Sequence, residues 1–145
     1  MAIVSEIITE HLPEYCYKKK PLRPAGAVVH FVSAKRDFPN DPFNREAILD
    51  IFKKYRISAH GLIERDGTLI ELVPKEYIAY HAGYSRMNGR DGCNDFTIGY
   101  ELAGGTDWDY TDEQIITLGT ELAKDMTEHQ FPLDWIRGHD EIRED

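Results

Sequence analysis

Three residues far apart in the chain carry side chains suited to hydrolytic chemistry. They are His30, ending the apolar run Val28-Val29-His30; Glu101, inside Thr97-Ile98-Gly99-Tyr100-Glu101-Leu102; and His139, after Trp135-Ile136-Arg137-Gly138. An imidazole at the end of a buried strand is held rigidly while its tip points into a cleft, as a metal ligand requires. A carboxylate on a core strand needs a partner or a task, and burial raises its pKa toward that of a general base. The pattern alone leaves a second reading of Glu101 equally open, on the exposed face of an edge strand. His60 and His81 also lie beside apolar or small residues, where an imidazole is either a satisfied core histidine or a site residue. Taken with Glu101, these four histidines shift the balance toward a metal or acid–base site. His11 and His129 lie in polar surroundings and read as solvated. A catalytic zinc site takes three protein ligands and keeps a fourth position for water, so two histidines leave one ligand to be found.

The elements that must position these residues are readable from periodicity and punctuation. Pro21-Leu22-Arg23-Pro24 predicts an extended surface segment leading into a first core strand, Ala27 to Phe31. Asn44 is placed to cap a helix bearing Ile48, Leu49, Ile51, Phe52 and Tyr55 at helical spacing. Gly61-Leu62-Ile63-Glu64 and Leu69-Ile70-Glu71-Leu72-Val73 flank Arg65-Asp66-Gly67-Thr68, whose Asp-Gly pair predicts an antiparallel hairpin. From Tyr80 to Asn94 no period holds and glycines recur, which predicts a long surface loop of the kind that lines sites. Thr97 to Leu102 reads as another strand. Thr111 with Gln114 forms a capping box that opens a helix to about His129, with Ile115, Leu118, Leu122 and Met126 on one face. Phe131-Pro132 stops it, and a last strand from Trp135 to Gly138 delivers His139. Strands alternating with helices, with no internal repeat or linker, predict a single α/β (α+β) domain with a central mixed sheet flanked by helices.

Composition narrows the function classes. The chain has 145 residues, enough for one domain with a real core, and 17 basic against 26 acidic side chains give a formal charge of −9. That charge opposes binding to phosphate backbones, so no nucleic-acid partner is expected. Lys18-Lys19-Lys20 with Arg23 is too short a run to reverse it. Two cysteines, Cys16 and Cys93, have no Cys-x-x-Cys spacing, which signals neither a disulfide framework nor a thiolate zinc knuckle and fits a reducing compartment. No stretch approaches the roughly eighteen apolar residues of a membrane span, and Met1-Ala2-Ile3-Val4-Ser5-Glu6 carries no basic, then apolar, leader. A cytoplasmic protein without stable membrane association is the expectation.

The specific signal lies in the order of five fragments: Val28-Val29-His30, Ser58-Ala59-His60-Gly61-Leu62-Ile63-Glu64-Arg65-Asp66-Gly67, Ala79-Tyr80-His81-Ala82-Gly83, Cys93-Asn94-Asp95-Phe96-Thr97-Ile98-Gly99-Tyr100-Glu101-Leu102, and Gly138-His139. Together they resemble the type-2 N-acetylmuramoyl-L-alanine amidase family, which includes phage lysis amidases, bacterial anhydromuramoyl-peptide amidases and the peptidoglycan recognition proteins. The resemblance runs over about residues 27–145, with residues 1–26 read as an extension packed on that domain. It implies a mixed sheet with helices packed across it and Zn2+ in a groove on one face. His30 matches the first zinc ligand and His139 the second. Glu101 matches the carboxylate that assists the attacking water. Tyr80, His81 and Ala82, with Asn94, match the cleft wall beside the substrate, where the family often has tryptophan in place of Tyr80. His60 matches the segment entering the hairpin and reads as supporting or structural.

The departures are specific. In the family the Gly-His pair is followed by a catalytic lysine and then an aspartate or cysteine that completes the zinc site, usually within Lys-x-Asp-Pro-Gly. This sequence stops at Asp145, six residues after His139. Either it is truncated ahead of that stretch, the preferred reading, or a nearby acid, Asp145 or Asp140, takes the ligand's place. Cys93 to Leu102 looks most like the anhydromuramoyl-peptide branch, yet Gly92 stands where that branch has arginine, and the segment between His30 and Ser58 is shorter. The activity implied is zinc-dependent hydrolysis of the amide joining a muramoyl lactyl group to L-alanine, in cell-wall lysis or in muropeptide recycling, with the phage lysis role preferred. Its partner is peptidoglycan or a muropeptide. The competing readings are a non-catalytic peptidoglycan-binding module using the same groove and an unrelated metallohydrolase.

Overall fold

Two runs, Gly26–Val32 and Thr97–Ala103, pair in parallel along all seven of their residues, and the rest of the sheet assembles around them. The computed structural model describes residues 7–143. In chain order it comprises β1 (Ile7–Thr9), β2 (Tyr17–Pro21), β3 (Gly26–Val32), α1 (Arg45–Tyr55), β4 (Gly61–Ile63), β5 (Leu69–Glu71), β6 (Tyr77–Ala79), β7 (Arg86–Met87), β8 (Arg90–Asp91), β9 (Thr97–Ala103), α2 (Asp112–His129) and β10 (Ile136–Gly138). The main sheet has the order β1-β5-β4-β9-β3-β10. It is mixed: only β4 and β5, the Asp-Gly hairpin, pair antiparallel, and every other neighbouring pair is parallel. β2 pairs with β6, and β7 with β8, as two small antiparallel ladders.

Side chains alternate between the two faces of a strand, and the core divides accordingly. Leu62 and Ile70, paired across the hairpin, pack with Ile48, Leu49 and Phe52 of α1 on one face. Ile63 and Leu69, the next pair, pack with Ile98, Tyr100, Leu102 and the partly buried Leu118 and Leu122 of α2 on the other. β9, buried at every residue, runs through the middle of both layers. Each helix begins where a side chain satisfies its free N–H groups. Asn44 accepts from the Ala47 N–H at 3.0 Å, and Thr111 and Gln114 exchange two 3.1 Å bonds in the expected capping box.

Three expectations change. The face of α2 against the sheet is only partly the apolar stripe: Leu118 and Leu122 pack there, but Ile115 is 57% exposed, whereas Gln114, Thr117, Glu121 and Asp125 are buried. These polar groups go inward because the sheet, its hairpin turn and Lys75 offer them partners. Gln114 Nε2 donates to the carbonyls of Ile63 and Ala103 at 3.1 and 2.9 Å, and the Thr117 hydroxyl donates to Gly67 O at 2.7 Å. Asp125 accepts from the Tyr100 hydroxyl and, at 2.7 Å, from Lys75 Nζ. Second, the stretch from Tyr80 to Asn94 is not wholly irregular but contains the β7–β8 ladder. Third, the proline-punctuated stretch does not stay at the surface: Leu22 is buried against Ile78 and Ile98, and its N–H donates to Glu76 O at 2.8 Å.

The Tyr100–Asp125–Lys75 group ties α2 to the central strand with a buried charge-assisted bond. Tyr100→Phe is therefore expected to lower the unfolding free energy by about 2 kcal/mol, the usual worth of a hydrogen bond to a charged group. Urea denaturation in chelator should show a lower midpoint at unchanged slope; an unchanged midpoint would count against the tie.

Candidate functional site

The site is laid out by strand register. His30 of β3 is the direct partner of Glu101 in β9, and Glu101 in turn pairs with Leu62 of β4. All three side chains thus point to the α1 face. On the other side of β3, β10 pairs Gly138 with Val29, so His139, the next residue, emerges beside His30. A 3-10 turn from His139 to Glu141 holds it there: Glu141 Oε1 accepts the Gly138 N–H at 2.8 Å, and Ile142 anchors the turn in the core. The three residues singled out from sequence spacing therefore meet near the carboxyl ends of parallel strands, where α/β sheets place their ligand sites.

His30 and His139 face each other through their Nδ1 atoms at 2.6 Å. Burial, and then the neighbouring His139, hold His30 down at about 3, and burial also lowers His139, so both imidazoles are neutral near pH 7. Glu101 is only 8% exposed, and its Oε1 is the one buried side-chain oxygen or nitrogen among the described residues without a hydrogen-bond partner. Burial pushes its carboxyl well above the usual range. Two cavities meet at this group. The larger, about 670 Å³, is lined by His30, Phe31, Glu101, Tyr110, His139 and Asp140. The smaller, about 340 Å³, is lined by Tyr80, His81, Ala82, Tyr84 and Arg143 with Glu101 and His139.

The other sequence-singled residues divide. His81 lies over β9, where a Cβ on Gly99 would come within 2.5 Å of its ring, so the imidazole occupies space that only glycine leaves free. Its Nδ1 is 2.9 Å from His30 Nε2 and its Nε2 is 3.3 Å from Thr97 Oγ1. Asn94 uses its Oδ1 to accept the backbone N–H groups of His81 and Ala82 at 2.9 and 2.7 Å. Tyr80 and Ala82 line the smaller cavity. His60 is fully satisfied away from the cleft: its Nδ1 accepts the Gly99 N–H at 3.0 Å and its Nε2 donates to Tyr77 O at 2.8 Å. Gly92 has a left-handed φ of 73°, which favours glycine over a side-chain-bearing residue. Asp145 lies outside the described residues. Asp140 is on the wall of the larger cavity, but among the described residues no three His, Cys, Asp or Glu side chains gather as a metal-holding group. Sequence reading missed Thr97, Phe31 and Tyr110. Gly99, small and central in an apolar strand, is the one sequence feature that could have signalled the close approach of the His81 ring.

The donor set still fits zinc as far as it goes. Two neutral imidazole nitrogens converge on one point beside an orphaned buried carboxylate.

The family model for N-acetylmuramoyl-L-alanine amidases matches residues 20–145. The chain belongs to that family. Among curated amidases, it is 44% identical over 84 residues to the 1,6-anhydro-N-acetylmuramyl-L-alanine amidase AmpD of Escherichia coli K12, a match covering 51% of this chain and 46% of that protein. The AmpD of Haemophilus influenzae is 32% identical over 121 residues, covering 73% of this chain and 64% of that protein. The chain thus spans about half to two-thirds of the length of these curated relatives. A crystal structure of a selenomethionine AmpD derivative superposes with a TM-score of 0.78 at 30% identity, covering 97% of this chain and 84% of that one. The amidase fold expected from the five fragments is the fold observed. No helix among the described residues is long and apolar enough to cross a membrane.

The buried titrating groups set opposite pH dependences. His30, at about 3, and His60, at about 4, are protonated less readily folded than unfolded, so their contribution is intact above the unfolded pKa near 6.5 and is lost as pH falls from there toward 3–4. Glu101 is raised, so its contribution is full below about 4.5 and is lost as pH climbs through its folded value. Glu101→Gln is therefore expected to stabilise the chelated protein at pH 8 and to leave the acid limb unchanged. Thermal unfolding at pH 8 and pH 4 reads both, and a less stable variant at pH 8 would contradict the burial assigned to the carboxyl.

Proposed function

We propose that this chain hydrolyses the amide between the lactyl group of N-acetylmuramic acid and L-alanine, using zinc held by His30 and His139. The observation that carries this reading is the convergence of His30 Nδ1 and His139 Nδ1 beside the unpartnered Glu101 carboxyl in an open cleft. Zinc bound by His30 and His139 would supply Lewis-acid chemistry, lowering the pKa of the attacking water toward about 7 and polarising the scissile carbonyl. Asp145, the acid expected to complete the ligand set, lies outside the described residues.

The chain's own side chains do the rest. Glu101, in a desolvated pocket, takes the proton of the attacking water and returns it to the alanine nitrogen as the C–N bond breaks. Its raised pKa makes it a strong base once ionised and a competent acid once protonated. His30 and His139 are held in place by strand register and by the capped turn. Phe31 and Tyr110 border the larger cavity, where a sugar ring has a flat apolar wall. Tyr80 and Ala82 border the smaller one, which suits the peptide stem. The likeness to AmpD proteins, whose name specifies an anhydro-N-acetylmuramyl substrate, supports soluble muropeptide fragments over polymeric wall.

The test incubates the full chain with zinc and either an anhydromuramoyl tripeptide or intact sacculi, and follows the release of peptides with a free L-alanine amine. Cleavage of the fragment is expected, with a rate lowered about 10²- to 10⁴-fold by Glu101→Gln at unchanged zinc content. His30→Ala should lose the zinc itself. Cleavage that survives Glu101→Gln would remove Glu101 from the base role. Tight muropeptide binding with no turnover by the zinc-loaded chain would identify a binding module instead.

A further inference from the structure

We infer that Thr97 and His81 are positioning residues that decide which nitrogen of His30 is bare toward the metal, an inference that rests on the zinc-amidase reading above. A carbonyl oxygen has no proton to give, so the 2.6 Å contact between Thr97 Oγ1 and Cys93 O is made by the threonine hydroxyl as donor. With its single proton committed there, Thr97 Oγ1 presents only lone pairs to His81 Nε2, 3.3 Å away. Nε2 of His81 therefore carries that ring's proton, and its Nδ1 is an acceptor. His30 Nε2, at 2.9 Å, donates to it. A neutral imidazole has one N–H, so His30 Nδ1 is left bare. That is the atom facing His139. Reversing the chain would set two proton-free oxygen lone pairs against each other 2.6 Å apart at Cys93.

A metal-ligating histidine usually donates its second N–H to a carboxylate or a carbonyl, acceptors whose polarity is never in doubt. Here the acceptor is another imidazole, which could equally be a donor, and the Thr97–Cys93 bond removes that ambiguity. Two further contacts hold the His81 ring in line. Its backbone N–H is clamped by Asn94 Oδ1 at 2.9 Å, and its ring sits in the space left by the missing side chain of Gly99. Both ring nitrogens are thereby occupied, so His81 meets the cleft with carbon edges rather than as a polar contact to substrate.

The test uses the full chain with 15N-labelled histidine, freed of zinc by chelator, and two-bond 15N–1H correlation spectra at pH 7.5. His30 and His81 should both appear as Nε2–H tautomers. Thr97→Val, which loses the hydroxyl and keeps the branched shape, should leave His81 a mixture of tautomers and weaken zinc binding about 10- to 100-fold. Thr97→Ser should restore both. An Nδ1–H tautomer at either histidine of the unmodified chain overturns the inference, and so does a folded Thr97→Val with unchanged tautomers and zinc affinity. If Thr97→Val does not fold, or the chain takes up no zinc, the tautomers of the unmodified chain decide. No muropeptide enters these measurements. A chain that cleaves muropeptides while His30 is Nδ1–H keeps its activity assignment and loses the relay, whereas the expected tautomers in a chain that cleaves nothing do the reverse.

Discussion

The parallel register between β3 and β9 is the constraint on which the site depends. It sets His30 directly beside Glu101, on strands whose spacing of about 4.8 Å is fixed by their backbone hydrogen bonds. A slip of one residue would turn either side chain to the α2 face, because alternate residues point opposite ways. The apolar residues around them forbid that slip. Tyr100 and Val29, one position away, are packed with Leu118 and Leu122 of α2, while Val28 is buried with Met87, Cys93 and Phe96. Burying the hydrophobic set correctly and assembling the histidine–carboxylate pair are thus one event.

Around this row the buried polar side chains among the described residues are satisfied with one exception. His60 is bonded through both nitrogens, His81 likewise, and the inward polar groups of α2 find partners on the sheet, on its hairpin turn and on Lys75. Glu101 Oε1 alone among them does not. An unpaired carboxyl in an apolar pocket costs stability, and proteins tolerate such groups chiefly where chemistry needs them. Contrast between a satisfied surround and a single unsatisfied acid separates a reactive group from the several buried histidines that hold the fold.

Much of the scaffold is readable from residue order because it rests on local rules. Asn44 and the Thr111–Gln114 box start their helices as capping chemistry requires, and Asp66-Gly67 turns the hairpin. His30, Glu101 and His139 are legible for a related reason: each ends or interrupts an apolar run. The inner face of α2 is not legible, because periodicity equates polar with solvent, and Gln114 and Thr117 go inward only since carbonyls of Ile63, Ala103 and Gly67 await them across the fold. His81 reads as part of a cleft wall only through the family resemblance, and the use of its ring depends on His30 and Thr97, which reach it only through tertiary packing. Tyr110 lies in a polar connection with no period to mark it.

The single amide of Gln114 spans two strands, reaching Ile63 O at the end of β4 and Ala103 O at the end of β9. Asp125, three turns further along the helix, holds Tyr100, the residue next to Glu101. A greasy stripe would let a helix creep along the sheet at little cost, since dispersion contacts are many and unspecific in direction. Directional bonds at both ends turn α2 into a caliper: it gauges the gap between β4 and β9 and the height of β9 from behind. Solvent-side changes on this helix therefore reach the cleft through the thickness of the sheet, without touching any residue that lines it.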